Sequence, residues 1–279
     1  LDATRAYSDL KRLAKAVHDE GGAASIQLGH CGYFANKRVI GKRPLGASKK
    51  FNLFQQSYCI EMTTADIHEK IDDFVNAALL AKEAGFDAIE IHAGHGYLLS
   101  QFLSPYTNNR SDSFGGNFKN RLSFPGSVIK KCRKALGKGF PILVKMNIED
   151  GFDGGLEITE SVKVAQAFAD AGASALIPSA GFTSKTPFYM LRGNLPIKEM
   201  VANQNNWINK IGLTLFGRFM VQEYPFNPLF LLEGARKIKA AVEIPVIYIG
   251  GAINKTTMES MIAEGFDFIQ LGRATIRNP

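Results

Sequence analysis

The chain has 279 residues, a formal net charge of +7 and 46% hydrophobic residues, enough to bury one large α/β domain or two small ones. No apolar run reaches the length of a membrane span and no signal-peptide pattern is read at the first residues, so no membrane partner is expected. Cys31, Cys59 and Cys132 are odd in number and widely spaced; they match neither a disulfide framework nor a zinc pattern and favour a reducing cytoplasm.

In chain order, Leu10, Leu13, Ala14 and Val17 mark one face of a helix that stops at Gly21-Gly22. A strand, Ala24 to Leu28, follows. A basic run comes next, with Lys37, Arg38, Lys42, Arg43, Lys49 and Lys50. It reads as a solvated loop, or more sharply as a patch for a nicotinamide dinucleotide phosphate or an acidic substrate. No aromatic platform interleaves these charges, so nucleic acid is not an expected partner. Thr63 and Asp66 form a candidate capping box before a helix carrying Ile67, Ile71, Phe74 and Ala78 and ending at Gly85. The strand Ala88 to Ile91 leads into His92.

A helix over about Asn120–Leu136 precedes the strand Pro141 to Met146, and one near Ile158–Ala171 precedes Ala175 to Pro178. Helices near Leu229–Val242 and Thr256–Glu264 precede the strands Pro245 to Ile249 and Phe268 to Leu271. A degenerate repeat supports the alternation. Glu83-Ala84-Gly85-Phe86-Asp87-Ala88-Ile89 recurs at 170–176 and at 263–269, each copy a glycine cap, a tight turn and a buried strand. Such units build a parallel sheet, open or closed. Gln27, His92, Lys145 and Gly250-Gly251 all fall at C-terminal strand ends, which a barrel gathers at one mouth. Six strands are read, where a closed (β/α)₈ barrel has eight. The segment 182–228, rich in aromatics and proline, is a lid over that mouth or a surface insertion.

His92, His95 and Tyr97 put two imidazoles and a phenol within six positions, a set suited to gripping a carbonyl oxygen and delivering a proton. A metal would need a third ligand, and no nearby motif supplies one, so no metal is expected. Gly250, Gly251, Gly272 and Arg273 follow the last two strands, where barrels of this kind hold phosphate on glycine N–H groups and a guanidinium. Lys145 interrupts an apolar strand and needs a partner or a task. The tasks are a positive charge beside a cofactor that becomes anionic, or a Schiff-base nucleophile; as a plain ion pair its partners would be Glu149 or Asp150. Gln27 offers a donor and an acceptor to an amide-like ring edge.

The run His92-Ala-Gly-His95-Gly-Tyr97-Leu-Leu-Ser-Gln-Phe-Leu-Ser-Pro105, followed by Asn109-Arg110-Ser-Asp112-Ser-Phe-Gly-Gly116, resembles the Old Yellow Enzyme family of FMN-dependent ene-reductases. Ile26-Gln27-Leu28-Gly29-His30 and Leu271-Gly272-Arg273 resemble it too, so the likeness covers nearly the whole chain. It implies a single FMN-binding (β/α)₈ TIM-barrel domain over 1–279, with the first two βα units lying outside this sequence. It implies that Gln27 bonds the flavin pyrimidine and that Lys145 sits near N1 and O2, where the family usually has arginine. Gly250, Gly251, Gly272 and Arg273 would hold the FMN phosphate. NAD(P)H would give a hydride to flavin N5, and the hydride would pass to the β-carbon of an activated alkene. His92 and His95 would bind the carbonyl or nitro oxygen, and Tyr97 would protonate the α-carbon. The other readings are an aldolase-type lyase using Lys145 and a barrel remnant that binds no FMN. The alkene, the choice of NADH or NADPH and a homo-oligomeric state are left open.

Overall fold

The computed structural model describes residues 3–52, 57–204, 207–220 and 222–277. Six parallel strands form its frame: β1 (Ser25–Leu28), β2 (Ala88–Ala93), β3 (Ile142–Asn147), β4 (Ala175–Ser179), β5 (Ile247–Tyr248) and β6 (Phe268–Ile269). The first four make one sheet in sequence order, β5 pairs with β6, and a parallel bridge from Leu176 to Val246 joins the two groups. Helices Ala3–Asp19, Thr64–Glu83, Phe118–Leu136, Ile158–Asp170, Leu232–Lys239 and Lys255–Ala263 alternate with the strands. All six expected strands and all six expected helices are present. Among the described residues β1 and β6 are the edges of the arc and do not pair with each other.

Local chemistry explains the element ends. Thr63 accepts from the Asp66 backbone N–H while Asp66 accepts from the Thr63 N–H, the reciprocal box that satisfies two orphan donors. Asn117 caps the next long helix by accepting from Asn120 N, so that helix starts earlier than the sequence suggests. The helix read from Leu229 starts at Leu232 instead. Leu229 has φ of 56°, left-handed backbone that a helix cannot include, and its N–H donates to Gly251 O.

In β2, β3 and β4 the residues that meet the helices are apolar. Ile89, Ile91, Val144 and Leu176 are completely buried with the helix residues Ile67, Ala78, Val128, Ile129, Val164 and Phe168. Burying each large aliphatic side chain stabilises the fold by about 1.5–3 kcal/mol.

Between β1 and the second long helix the chain forms two small ladders, Leu45–Gly46 with Ile60–Glu61 and Phe51–Asn52 with Ser57–Tyr58. Arg110 fastens this excursion to the barrel. Its guanidinium donates to Ala47 O (2.9 Å) and Met62 O (2.7 Å) and pairs with Asp112. Asn108 ties Phe102 O to Phe114 O in the same way, at 2.8 and 2.7 Å. Much of the long motif after Tyr97 is therefore scaffold.

The segment 182–228 holds helices Ile197–Ala202 and Trp207–Met220 and is closed at its base by a bridge from Gly193 to Tyr224; its residues 205, 206 and 221 lie outside the described residues.

Candidate active site

The loops that leave β1, β2, β3 and β4 all emerge at the C-terminal ends of parallel strands, the face on which barrel chemistry collects. His92 lies inside β2, level with Lys145 of β3 and Ile177 of β4. Three residues on, the chain turns. His95 has φ of 60°, Gly96 has φ of 75°, and Tyr97 caps the short helix Leu98–Leu103. A side chain at Gly96 would strike the Phe182 ring, with a Cβ only 2.7 Å from it. This tight turn stacks the three rings together. The His92 and His95 centroids are 5.0 Å apart, as are those of His92 and Tyr97, all edge to face.

Asn147, at the end of β3, sets the turn. Its Oδ1 accepts from His95 N (2.9 Å), and its Nδ2 donates to Asp150 Oδ1 and Gly181 O, both at 2.8 Å. Ser179, at the end of β4, places its Oγ 2.6 Å from His95 Nε2. The His95 carbonyl in turn accepts from Thr183 N (3.0 Å) and Thr183 Oγ1 (2.6 Å).

Electrostatics keep both imidazoles neutral. Burial, and then the charge of Lys145, push His92 down to about 4. Burial, His92 and Lys145 push His95 down to about 3. Each ring thus keeps one N–H donor at neutral pH. His92 Nδ1 is buried with no hydrogen-bond partner among the described residues.

Below this cluster is a cavity of about 520 Å³ inside the arc, lined by Gln27, Glu90, Lys145, Ile177 and Gln270 among others. Glu90 is its centre. Its carboxylate pairs with Lys145 Nζ at 2.7 Å, accepts from Gln27 Nε2 and accepts from Gln270 Nε2 at 3.3 Å. Lys145 is thus in an ion pair, but with Glu90 rather than with Glu149 or Asp150. Glu149 bonds the Tyr189 hydroxyl, and Asp150 is taken by Asn147 and Leu156 N.

Gly250 (φ 117°) and Gly251 (φ 78°) stand at the end of β5. A Cβ on Gly251 would lie 2.7 Å from Leu229 N, so the approach of that loop admits only glycine. Gly272 and Arg273 follow β6. Arg273 is exposed and spends one donor on Met190 O at 3.2 Å.

Of the residues singled out in the sequence, His92, His95 and Tyr97 form one cluster, and Gln27 and Lys145 face one cavity. Gly250, Gly251, Gly272 and Arg273 occupy neighbouring loops beside them. The sequence reading missed Glu90, Asn147 and Ser179. Glu90 left a signal, a charge between Ile89 and Ile91, whereas Asn147 and Ser179 look like ordinary strand-end polar residues.

A flavin ring fits these donors and acceptors. Gln270 Oε1, like His92 Nδ1, is buried without a partner among the described residues. A ring edge with alternating N–H and C=O groups suits such orphans and the amide of Gln27.

Residues 5–183 match the model of the NADH:flavin oxidoreductase / NADH oxidase family. The chain is 36% identical over 276 residues to the 4,4'-dithiodibutanoate disulfide reductase of Rhodococcus erythropolis, covering 99% of this chain and 68% of that protein. It is 32% identical over 281 residues to the NADH oxidase of Thermoanaerobacter brockii, covering 100% of this chain but 38% of that protein. An NADPH dehydrogenase of a Geobacillus species is 30% identical over 260 residues, covering 87% of this chain and 74% of that protein. Among solved structures, a 2-naphthoyl-CoA reductase complex superposes with a TM-score of 0.81 at 24% identity, over 98% of this chain and 39% of that one. The old yellow enzyme homologue from Zymomonas mobilis gives 0.71 at 21% identity, over 96% and 67%.

Proposed function

Because this chain belongs to the NADH:flavin oxidoreductase / NADH oxidase family, with the α/β-barrel fold of old yellow enzymes and the family's FMN and NAD(P)H, we propose that it reduces an activated C=C bond conjugated to a carbonyl or nitro group. The observation that carries this reading is the neutral pair His92 and His95 with the Tyr97 phenol beside it, set against the cavity of Gln27 and Lys145. FMN, when bound, supplies hydride transfer from NAD(P)H to the acceptor.

The chain's residues take the following parts. Gln27 and Lys145, both bonded to Glu90, would hold the pyrimidine edge of FMN, and the Lys145 charge would favour negative charge gathering there. Gly250, Gly251, Gly272 and Arg273 would hold the FMN phosphate, the glycines through backbone N–H groups and Arg273 through its guanidinium. His92 and His95 each donate an N–H to the acceptor oxygen, drawing electron density from the β-carbon. Ser179 Oγ orients the His95 ring through Nε2 at 2.6 Å and itself donates to Met190 Sδ at 3.4 Å. A neutral donor serves this role without transferring its proton. Tyr97 gives its hydroxyl proton to the α-carbon as the hydride arrives at the β-carbon, so the alkene gains both atoms of hydrogen. The segment 182–228 covers this mouth as a lid, its base fixed to His95 through Thr183. No specific observation favours the lyase reading, since Lys145 Nζ is committed to Glu90.

The test is a spectrum followed by a turnover assay. The full chain mixed with FMN should quench flavin fluorescence and perturb the visible band, then oxidise NADPH faster when 2-cyclohexen-1-one is added. A chain that leaves the FMN spectrum and fluorescence unchanged would sink this reading and favour a barrel that has lost its cofactor.

A further inference from the structure

One charged cluster near the mouth has no part in the steps above. Lys50 and Lys185 both stand against the ring of Tyr106, with Nζ atoms 4.4 and 4.9 Å from its centroid. They come from loops far apart in sequence, after β1 and after β4. Tyr106 itself comes from the loop after β2. Phe152, from the loop after β3, lies 6.0 Å from Lys185 Nζ and 5.1 Å from the Tyr106 ring. Four successive βα loops therefore bring two cations and two aromatic rings to one place on the C-terminal face.

Nothing in the described residues balances this charge. No carboxylate lies within ion-pairing distance of Lys50 or Lys185, although Asp112, Glu90, Glu160 and Glu264 are all paired to other cations. Each ammonium brings three donors, and a ring face satisfies none of them as an acceptor oxygen would. The two cations also oppose each other. Burial, and next the charge of Lys185, lower the pKa of Lys50. Two like charges converging on one ring without a counterion mark a place where a third, negative group belongs.

The cluster is joined to the histidines by one aromatic layer. Phe182 bridges His95 through the backbone and packs 6.1 Å from Tyr106, edge to face. Lys185 is held next to that bridge by a tight turn, its N–H donating to Phe182 O at 2.9 Å.

We propose that Lys50 and Lys185, converging on Tyr106, form an oxyanion subsite at the rim of the pocket that takes a carboxylate of the acceptor or the 2'-phosphate of the reduced nucleotide. A molecule whose polarised oxygen meets His92 and His95 would reach the lysines with an anionic tail. The subsite depends on the proposed function only for what occupies the inner end of the pocket.

Binding to the full chain supplied with FMN tests this without turnover, so failure of the redox chemistry and failure of the subsite are read separately. The probes are glutarate against its neutral diamide by ligand-observed NMR, and NADPH against NADH, both as their hydride-inert 1,4,5,6-tetrahydro forms, by fluorescence titration. The chains are wild type, Lys50→Gln/Lys185→Gln and the charge-keeping Lys50→Arg/Lys185→Arg, each checked for fold by circular dichroism. Glutarate but not the diamide should bind wild type, weaken at least about 10-fold in the glutamine variant and recover in the arginine variant; that pattern assigns a carboxylate. The same pattern in the NADPH preference, with no glutarate binding, assigns the 2'-phosphate. The proposal falls if neither anion binds wild type in preference to its neutral or unphosphorylated counterpart, or if that preference survives in the glutamine variant.

Discussion

Replacing Asn147 with alanine should cost more stability than its small size suggests. The side chain is 1% exposed and its amide joins three different loops: His95 N after β2, Asp150 Oδ1 after β3 and Gly181 O after β4. Alanine removes all three hydrogen bonds and strands their partners in a buried place. Each stranded group costs about 1–3 kcal/mol, less where water enters, so the sum is about 3–5 kcal/mol. His95 also holds a left-handed backbone that this bond supports. For a domain of this size the loss corresponds to a fall in Tm of roughly 6–20 °C by scanning calorimetry. Asn147→Asp sharpens the test. It sets a carboxylate against Asp150, which burial already raises to about 6. Relative to wild type at the same pH, that variant should lose more stability at about pH 8 than at about pH 5, because a proton must be shared by the pair. A loss below ~1 kcal/mol for the alanine variant, measured with wild type in parallel, refutes the idea that one amide fixes the three loops.

Acid should unfold the protein through its histidines. The unfolded rings titrate near about 6.5 while the folded ones lie at about 4 and about 3, so stability is full above the unfolded value and drains away as pH falls toward the folded ones. At about pH 5 the two together cost roughly 4 kcal/mol, partly offset by proton uptake at Asp150. A His92→Asn/His95→Asn chain should lose that slope, and an unchanged urea-midpoint profile from about pH 8 to pH 5 would remove the histidines as its source. Tyr97→Phe should slow reoxidation by the alkene on the order of 10²-fold while leaving reduction by NAD(P)H alone; equal slowing of both halves in stopped-flow traces argues against a proton donor. Arg273→Ala should weaken FMN binding by roughly 10-fold or more in a fluorescence titration, and undiminished affinity takes the guanidinium out of the phosphate site.

The strands and long helices were legible because their signals are local. Capping residues, glycine stops and apolar runs act within a turn or two of the chain, which is why the Thr63 box and the three glycine-capped repeats appear as read. The ring cluster was legible for the same reason, since six residues hold all of it. What escaped depends on partners distant in sequence. Glu90 meets Gln27, Lys145 and Gln270 only once the sheet has curved, and no local pattern told Glu90 from Glu149 as the partner of Lys145. Asn147 and Ser179 gain their meaning from a loop more than 30 residues away. Lys50 was one of six early basic residues in the sequence, and its separation from the rest needed Lys185 and Tyr106 to arrive from elsewhere.

The left-handed backbone at His95 also decides what evolution can try there. With φ of 60°, a β-branched or bulky aliphatic residue would strain the turn and swing its amide away from Asn147. Glycine, asparagine, aspartate and histidine are the residues that enter this region with least strain. Of these, only histidine and asparagine bring a neutral N–H donor on the side chain. A change of acceptor chemistry at this position is therefore confined to a two-letter alphabet before any substrate is considered, and new specificity has to be found in the surrounding loops.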